Sequence, residues 1–143
     1  MGHIRDGLIV IACLVLLTGL GGLHLKIDPD SDPLRPTFRI SRSWFTSMPA
    51  DVGYVGVKVR EGNAWKEVWV LINKKLGTYP PLTEVRYGVP PDGLNNFIPP
   101  QNLQVGKVYM FAVFLAGTND RILFKVVEKD GRPAIHVLDR AED

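Results

Sequence analysis

A single stretch decides the fold class: Val108-Tyr109-Met110-Phe111-Ala112-Val113-Phe114-Leu115, eight residues without a charge. A continuous apolar run of this length is typical of a central β-strand that is buried on both faces. The turn-forming cluster Gly117-Thr118-Asn119-Asp120 follows it and predicts a hairpin into a second strand over 122–128. Asp130-Gly131 then predicts another tight hairpin, into a strand over 134–138.

Shorter strands are predicted upstream of this region. Val55, Val57 and Val59 alternate with small or charged residues, which is the period of a half-buried strand. Three Pro-Pro pairs interrupt the middle of the chain and leave room only for short strands between them. No ten-residue segment after Pro36 has a helical period. Several short strands separated by turn signals favour an all-β sandwich.

Residues 103–113 resemble the fibronectin type III pattern, in which Leu, Gly and Tyr precede an alternating strand. Here these residues are Leu103, Gly106 and Tyr109. The resemblance implies an immunoglobulin/fibronectin III-like sandwich. It also implies that Tyr109 forms a structural corner, in which its hydroxyl bonds to the backbone just upstream.

Two further stretches carry a resemblance. Trp44, Pro49 and Tyr54 are similar to the family's early core Trp, the Pro that follows it and the next strand. The stretch Val85-Arg86-Tyr87-Gly88-Val89-Pro90-Pro91 resembles a stretch of small bacterial membrane-anchored envelope proteins. The chain departs from the fibronectin type III pattern in its long middle stretch and in an additional last strand. Neither resemblance confers a chemistry, because one fold hosts many functions.

The apolar residues are unevenly spread along the 143-residue chain, which is 45% hydrophobic and 22% charged. Between Leu8 and Leu25, 13 of 18 residues are hydrophobic, and residues 1–25 hold only two charges. This stretch just reaches the length of about 20 residues that a membrane-spanning helix needs. We therefore predict a membrane segment that contains Leu8, Ile9, Val10, Ile11, Leu14, Val15, Leu16, Leu17, Leu20 and Leu23.

Two alternatives for this segment remain open. A cleaved signal peptide is the first, because residues 8–17 form an apolar core and Gly19 and Gly21 supply small residues before a cleavage point. A lipid anchor is the second, because Val10-Ile11-Ala12-Cys13 matches the lipobox pattern and makes Cys13 a candidate lipidation site.

Prolines separate the apolar segment from the predicted sandwich. Pro29, Pro33 and Pro36 block regular backbone hydrogen bonding, and the Asp and Ser residues between them favour turns. We predict that this stretch is a spacer that holds the folded domain off the membrane. The predicted organisation is a membrane anchor or signal segment (1–25), a Pro/Asp linker (26–36), a β-sandwich domain (37–139) and a tail (140–143).

The predicted orientation places the C-terminal domain on the extracytoplasmic (periplasmic) side of a membrane that is spanned once. A short stretch before a signal-like apolar run leads an exported domain, and long domains translocate largely regardless of their charge. The basic residues that follow the segment favour the opposite orientation under the positive-inside rule. A cytoplasm-facing anchored domain is therefore the alternative.

Residues suited to catalysis or metal binding are few and scattered. The single Cys13 excludes an intramolecular disulfide and a Cys-cluster zinc site. His3, His24 and His136 lie at no metal-ligand spacing. A net charge of +2 excludes the strongly basic footprint of a nucleic-acid-binding protein. We predict no catalytic residue, no cofactor and no metal site.

Aromatic side chains are the best candidates for recognition. Trp44, Trp69 and Tyr87 stand at positions expected to fill a small sandwich core. Tyr79 and Phe97 lie in Pro-rich loops, where exposed rings can form a recognition loop.

The function predicted from these observations is a binding or structural role in the cell envelope, without catalysis. The expected partners are the membrane and another envelope protein or a polysaccharide, and no nucleic acid. A small envelope hydrolase with its site in the Pro-rich loops is the alternative. It requires a pocket near Glu84, Asp92 or His136 that holds a titratable pair.

Overall fold

A computed structural model describes residues 23–43, 48–115 and 118–138 of the chain. Every regular element among these residues is a β-strand. The strands are β1 (His24–Ile27), β2 (Thr37–Ser41), β3 (Ala50–Glu61), β4 (Ala64–Asn73), β5 (Pro81–Leu82), β6 (Glu84–Arg86), β7 (Leu94–Ile98), β8 (Val108–Leu115), β9 (Thr118–Lys129) and β10 (Arg132–Val137).

The strands form two sheets that pack face to face. The small sheet has the order β1-β2-β6, and the large sheet has the order β10-β9-β8-β3-β4-β7, with β5 paired to the start of β3. All pairings are antiparallel. The prediction of an all-β, two-sheet sandwich is therefore confirmed, and the arrangement is compatible with an immunoglobulin- or fibronectin type III-like fold.

Aromatic rings from both sheets meet in the centre of the core. Phe38 of the small sheet stacks on Phe111 of the large sheet, with ring centroids 3.9 Å apart and planes within 2° of parallel. Phe124 packs beside both Phe38 and Tyr109, with centroid distances of 5.7 and 5.5 Å. Side chains alternate between the two faces of each strand, and this alternation points Phe38 and Phe111 into the core. Both rings are fully buried, whereas their neighbours along the strand face outward.

Trp69 fills the other half of the core, as the sequence predicts. Its indole contacts Tyr87 edge to face at a centroid distance of 5.0 Å. Its Nε1–H donates a hydrogen bond of 2.9 Å to Asn96 Oδ1 on β7, so the buried indole nitrogen is satisfied. Trp44, the third ring predicted for the core, lies outside the described residues.

The first strand corrects the predicted end of the membrane segment. Leu23, predicted to lie in the membrane segment, is a core residue with 8% of its surface exposed. Leu25 is buried beside it, and Ile27 packs against the same core. Leu23, Leu25 and Ile27 therefore have the period of two that is typical of a strand, and β1 begins at His24, inside the predicted 1–25 segment.

The stretch predicted to be a spacer (26–36) is part of the folded domain. It completes β1 and then forms a compact connection to β2. Asp28 N donates to Thr37 O at 2.9 Å, and Thr37 N donates to Ser31 Oγ at 3.0 Å. The prolines do block a longer strand, but local side-chain acceptors replace the lost backbone bonds and fix the turn.

The last hairpin has the turn that the sequence predicts. Asp130 and Gly131 have φ angles of 53° and 74°, so both central residues are left-handed. Two such residues define a type I′ turn, whose twist matches that of the flanking strands. The turn adds β10 to one edge of the large sheet, and β7 extends the opposite edge.

Four parts of the chain meet at one end of the sandwich, which we call the entry pole: the β1 start with the β2 end, the β3 start, the β4 end and the β8 end. His24 pairs with Ser41, whose Oγ accepts a hydrogen bond from Met48 N just before β3 begins. The end of β8 pairs with the start of β3. The end of β4 lies beside the same part of β3, because Ile72 pairs with Tyr54. The chain thus enters β1 at the end where the β4–β5 loop emerges.

Most of the predicted membrane segment, including Cys13, lies outside the described residues. Within the part of the chain that the structure describes, no helix is long and apolar enough to cross a membrane.

Candidate functional site

The outer face of the large sheet carries an unusual amount of apolar surface. Along β8, Tyr109, Phe111 and Val113 face the core, so Met110, Ala112 and Phe114 face outward. Met110 and Ala112 are covered by a second, small apolar cluster that contains Leu123, Trp65 and Leu138. Phe114 is 42% exposed, so the prediction that this strand is buried on both faces holds only for its first two thirds.

A cleft of about 490 Å³ lies where this face reaches the entry pole, and we call it the pole cleft. Apolar side chains from β4, β8 and the β4–β5 loop form its walls, and Asn73 adds a polar group. It is lined by Gly53, Ile72, Asn73, Leu76, Gly77, Tyr79, Phe114 and Leu115.

A second cleft, of about 510 Å³, lies further along the same face, and we call it the face cleft. Its floor is the small apolar cluster, and its rim is polar and carries both charge signs. It is lined by Lys58, Trp65, Met110, Ala112, Phe114, Asn119, Asp120 and Arg121. Phe114 lines both clefts, so the two form one continuous surface.

Two glycines make room for the rings on this surface. A Cβ at Gly53 would lie 2.8 Å from Tyr79 Cε1, and a Cβ at Gly56 would overlap with the Tyr54 hydroxyl. Tyr79 therefore packs against the backbone of Gly53, and Tyr54 against that of Gly56. Tyr54 also contacts Phe114 edge to face, with a centroid distance of 5.0 Å, and burial raises the pKa of the Tyr54 hydroxyl, with the Glu67 carboxylate adding to the effect.

Tyr79 and Phe97, the two residues predicted to form a recognition loop, are both exposed, at 46% and 65%. Tyr79 lies in the β4–β5 loop and lines the pole cleft. Phe97 is part of the edge strand β7 rather than a loop, and it lines neither cleft. The structure therefore places only Tyr79 on the apolar surface.

Tyr109 has the geometry of a tyrosine corner. Its Oη accepts a hydrogen bond of 2.7 Å from the backbone N–H of Gln104, five residues upstream. Tyr87 makes a related contact, because its hydroxyl donates to Gln101 O at 2.5 Å. Burial raises the pKa of both hydroxyls. These hydroxyls fix the connection between β7 and β8 rather than a ligand.

The groups proposed for the hydrolase alternative lie apart from both clefts. Glu84 is exposed on the outer face of the small sheet, and its nearest ion-pair partner is Arg39, 4.0 Å away. His136 is exposed on β10, opposite Lys125. Asp92 lies in the loop before β7. None of the three lines the pole cleft or the face cleft.

The acidic run that begins at Asp28 forms turns. Asp28 Oδ1 accepts a hydrogen bond from Asp30 N, and its Oδ2 bonds to Arg39 at 2.8 Å. These two contacts lower the pKa of the Asp28 carboxyl, with the backbone bond the larger cause. Asp32 Oδ1 accepts from Leu34 N in the same way. In residues 23–43, 48–115 and 118–138, no three His, Cys, Asp or Glu side chains are grouped to hold a metal.

The sequence did not reveal three of the residues that build the surface. Phe114 is hidden in a run that is apolar throughout, Ile72 ends another such run, and Leu76 follows two lysines that are typical of a solvated turn. If Phe111 is known to face the core, the alternation of side chains along a strand places Phe114 on the outer face. In a run that is apolar throughout, the sequence does not show which residues face the core.

Comparison with known proteins adds no family to this geometry. No protein-family model matches the chain, and no curated protein or solved structure matches it either.

Proposed function

We propose that the protein is a membrane-tethered, extracytoplasmic β-sandwich with a binding role in the cell envelope and no catalytic activity. The observation that carries the binding role is the continuous apolar surface formed by the pole cleft and the face cleft. Exposed apolar patches on small soluble domains are usually sites of interaction.

The strand order supports membership of the fibronectin type III-like sandwiches. The small sheet β1-β2-β6 corresponds to strands A, B and E of the immunoglobulin plan, and β3-β8-β9 corresponds to C, F and G. Tyr109 lies at the start of the F-like strand, where the tyrosine corner of such domains occurs. Two added edge strands, β7 and β10, distinguish this chain from the basic plan.

The tether rests on the composition of residues 8–22. Twelve of the hydrophobic residues between Leu8 and Leu25 come before His24, and the last of them, Leu23, begins the domain. The apolar segment is therefore joined to the sandwich without a spacer. The signal-like character of this segment supports the proposed extracytoplasmic location.

The face cleft has the composition of a recognition site. Its apolar floor contains Trp65, a residue type enriched in binding hot spots. Its rim offers donors and acceptors from Lys58, Asn119 and Asp120, which fit the mixed polar surface of an envelope protein or a polysaccharide.

Alanine substitution tests this proposal. We expect Trp65→Ala and Phe114→Ala to reduce recovery of the bound envelope partner about tenfold or more each, because a well-packed aromatic anchor contributes about 2 kcal/mol or more to binding. The measurement is affinity capture of the tagged full chain from detergent-solubilised native membranes, with proteins and polysaccharides of the eluate quantified.

Val105→Ala is the matched control, because Val105 is also an exposed apolar residue but lies before β8, away from both clefts. Its eluate should equal that of the unchanged chain. An eluate that is the same for all four proteins would contradict binding through this surface.

A further inference from the structure

The loop between β4 and β5 presents an apolar side chain directly to solvent. Leu76 is 100% exposed, although a leucine at a loop tip has no structural need to be there. Lys74 and Lys75 precede it, and Tyr79 follows it on the wall of the pole cleft. The loop thus combines a protruding aliphatic group, two cations and an amphipathic ring.

Internal hydrogen bonds hold this loop in shape. The Asn73 side-chain amide donates to Thr78 O, and Thr78 Oγ1 donates to Lys75 O at 2.6 Å. The backbone N–H of Thr78 donates to the same Lys75 carbonyl at 3.1 Å. Gly77 takes a φ of +79°, which closes the turn behind Leu76. Leu76 is therefore held outward by a bonded turn.

The loop also lies at the entry pole, where the chain enters the domain. Met48, another exposed apolar residue, is at this pole and bonds to Ser41 opposite His24. The acidic residues Asp51 and Asp92 lie toward the same pole and equal the two loop lysines in number, so these four residues together add no net charge. Apolar contact, with lysines at its border, is the dominant character of this surface.

If residues 8–22 are embedded as the proposed tether, their length sets how close the entry pole lies to the membrane. Because Leu23 belongs to the core, a segment that starts at Leu8 has 15 residues before the domain. A helix of that length spans about 22 Å, whereas the hydrocarbon core of a bilayer is about 30 Å thick. A span that is shorter than the hydrocarbon core is accommodated by local thinning of the bilayer, by snorkelling of flanking residues or by oligomerisation, and thinning brings a domain that follows the span directly closer to the headgroups.

We infer that Leu76, with Lys74 and Lys75 directly before it, inserts into the headgroup region of an anionic lipid bilayer when the apolar segment is embedded. This inference rests on the tether proposed above and assigns the lipid-facing surface of the domain. Lysine stems reach along an apolar surface while their ammonium groups bind lipid phosphates, and tyrosine is favoured at the interface.

A fluorescent probe at the loop tip tests the inference in the full chain. In a Cys13→Ser background, Leu76→Cys is labelled with an environment-sensitive fluorophore, and Asn63→Cys at the tip of the β3–β4 turn is the control at the opposite pole. Both proteins are reconstituted in phosphatidylcholine vesicles with or without phosphatidylglycerol. Lipids brominated near the headgroup should quench the Leu76 probe several times more strongly than the Asn63 probe.

The charge dependence adds a second readout. Lys74→Gln with Lys75→Gln should reduce quenching in vesicles that contain phosphatidylglycerol and leave it unchanged in pure phosphatidylcholine.

Flotation of the chain with the vesicles distinguishes failure of the tether from failure of the inference alone. A chain that does not float with vesicles overturns both the tether and this inference. A chain that floats while its Leu76 probe is quenched no more than the Asn63 probe overturns only the inference. A Leu76 probe that stays in water in vesicles but is shielded in native membranes assigns the loop to a protein partner and likewise overturns it.

Discussion

Replacement of Phe111 by alanine lowers the free energy of unfolding by about 3–5 kcal/mol, the range for a fully buried phenylalanine. Phe111 stacks on Phe38 across the two sheets and is completely buried. Its loss removes the central contact between the sheets and leaves a cavity that the surrounding strands cannot close. Urea unfolding of the detergent-solubilised chain, followed by circular dichroism, measures the change.

Phe114→Ala is the matched control, because it changes the same residue type on the same strand but on the outer face. We expect a loss of about 1 kcal/mol, the usual size for a partly exposed side chain. Equal losses at Phe111 and Phe114 would mean that the two faces of β8 are assigned incorrectly.

Replacement of Trp69 by alanine has a comparable effect of about 3–5 kcal/mol. The substitution empties the other half of the core, removes the edge-to-face contact with Tyr87 and takes the donor from Asn96 Oδ1. Because Asn96 lies on β7, this edge strand should also lose order. The same urea titration gives the free energy, and hydrogen exchange of the β7 amides reports the local effect.

Trp65→Ala serves as the comparison on the same strand. Trp65 is only partly buried, against Met110 and Ala112 on the outer face, and Arg60 lies 5.8 Å from its ring centroid. A loss of about 1 kcal/mol is expected. A larger loss for Trp65 than for Trp69 would contradict the placement of the core.

Several strands after residue 50 were predictable because their signals are local. The apolar run at 108–115, the Asp130-Gly131 turn and the alternation of Val55, Val57 and Val59 each depend on neighbours in sequence. The corner at Tyr109 was implied by resemblance, and the bond from Gln104 N to its hydroxyl has the expected geometry.

The first strand could not be found in the same way. Leu23, Leu25 and Ile27 point into the core, but they follow a long apolar run that hides their alternation. Only the pairing of His24 with Ser41 shows that the domain begins there. A related reason applies to residues 26–36, where the side chains of Asp28 and Ser31 accept backbone hydrogen bonds and order a stretch that proline content alone marks as irregular.

The apolar surface formed by the pole cleft and the face cleft was the least predictable part, because it depends on contacts between strands that are distant in sequence. The Pro-rich surroundings of Tyr79 predict an exposed recognition residue, and Tyr79 does line the pole cleft. Phe97 has similar surroundings but belongs to an edge strand. Phe114 and Leu76 complete the cleft only because β8 and the β4–β5 loop meet at the entry pole.

The membrane tether is tested most directly by the intact mass of the chain recovered from carbonate-washed native membranes. The tethered sandwich predicts that the protein in the membrane fraction retains the apolar segment over residues 8–22. A chain that lacks residues 1–21 and is found in the soluble fraction would contradict the tether, because Gly19 and Gly21 would then have served as the cleavage signal.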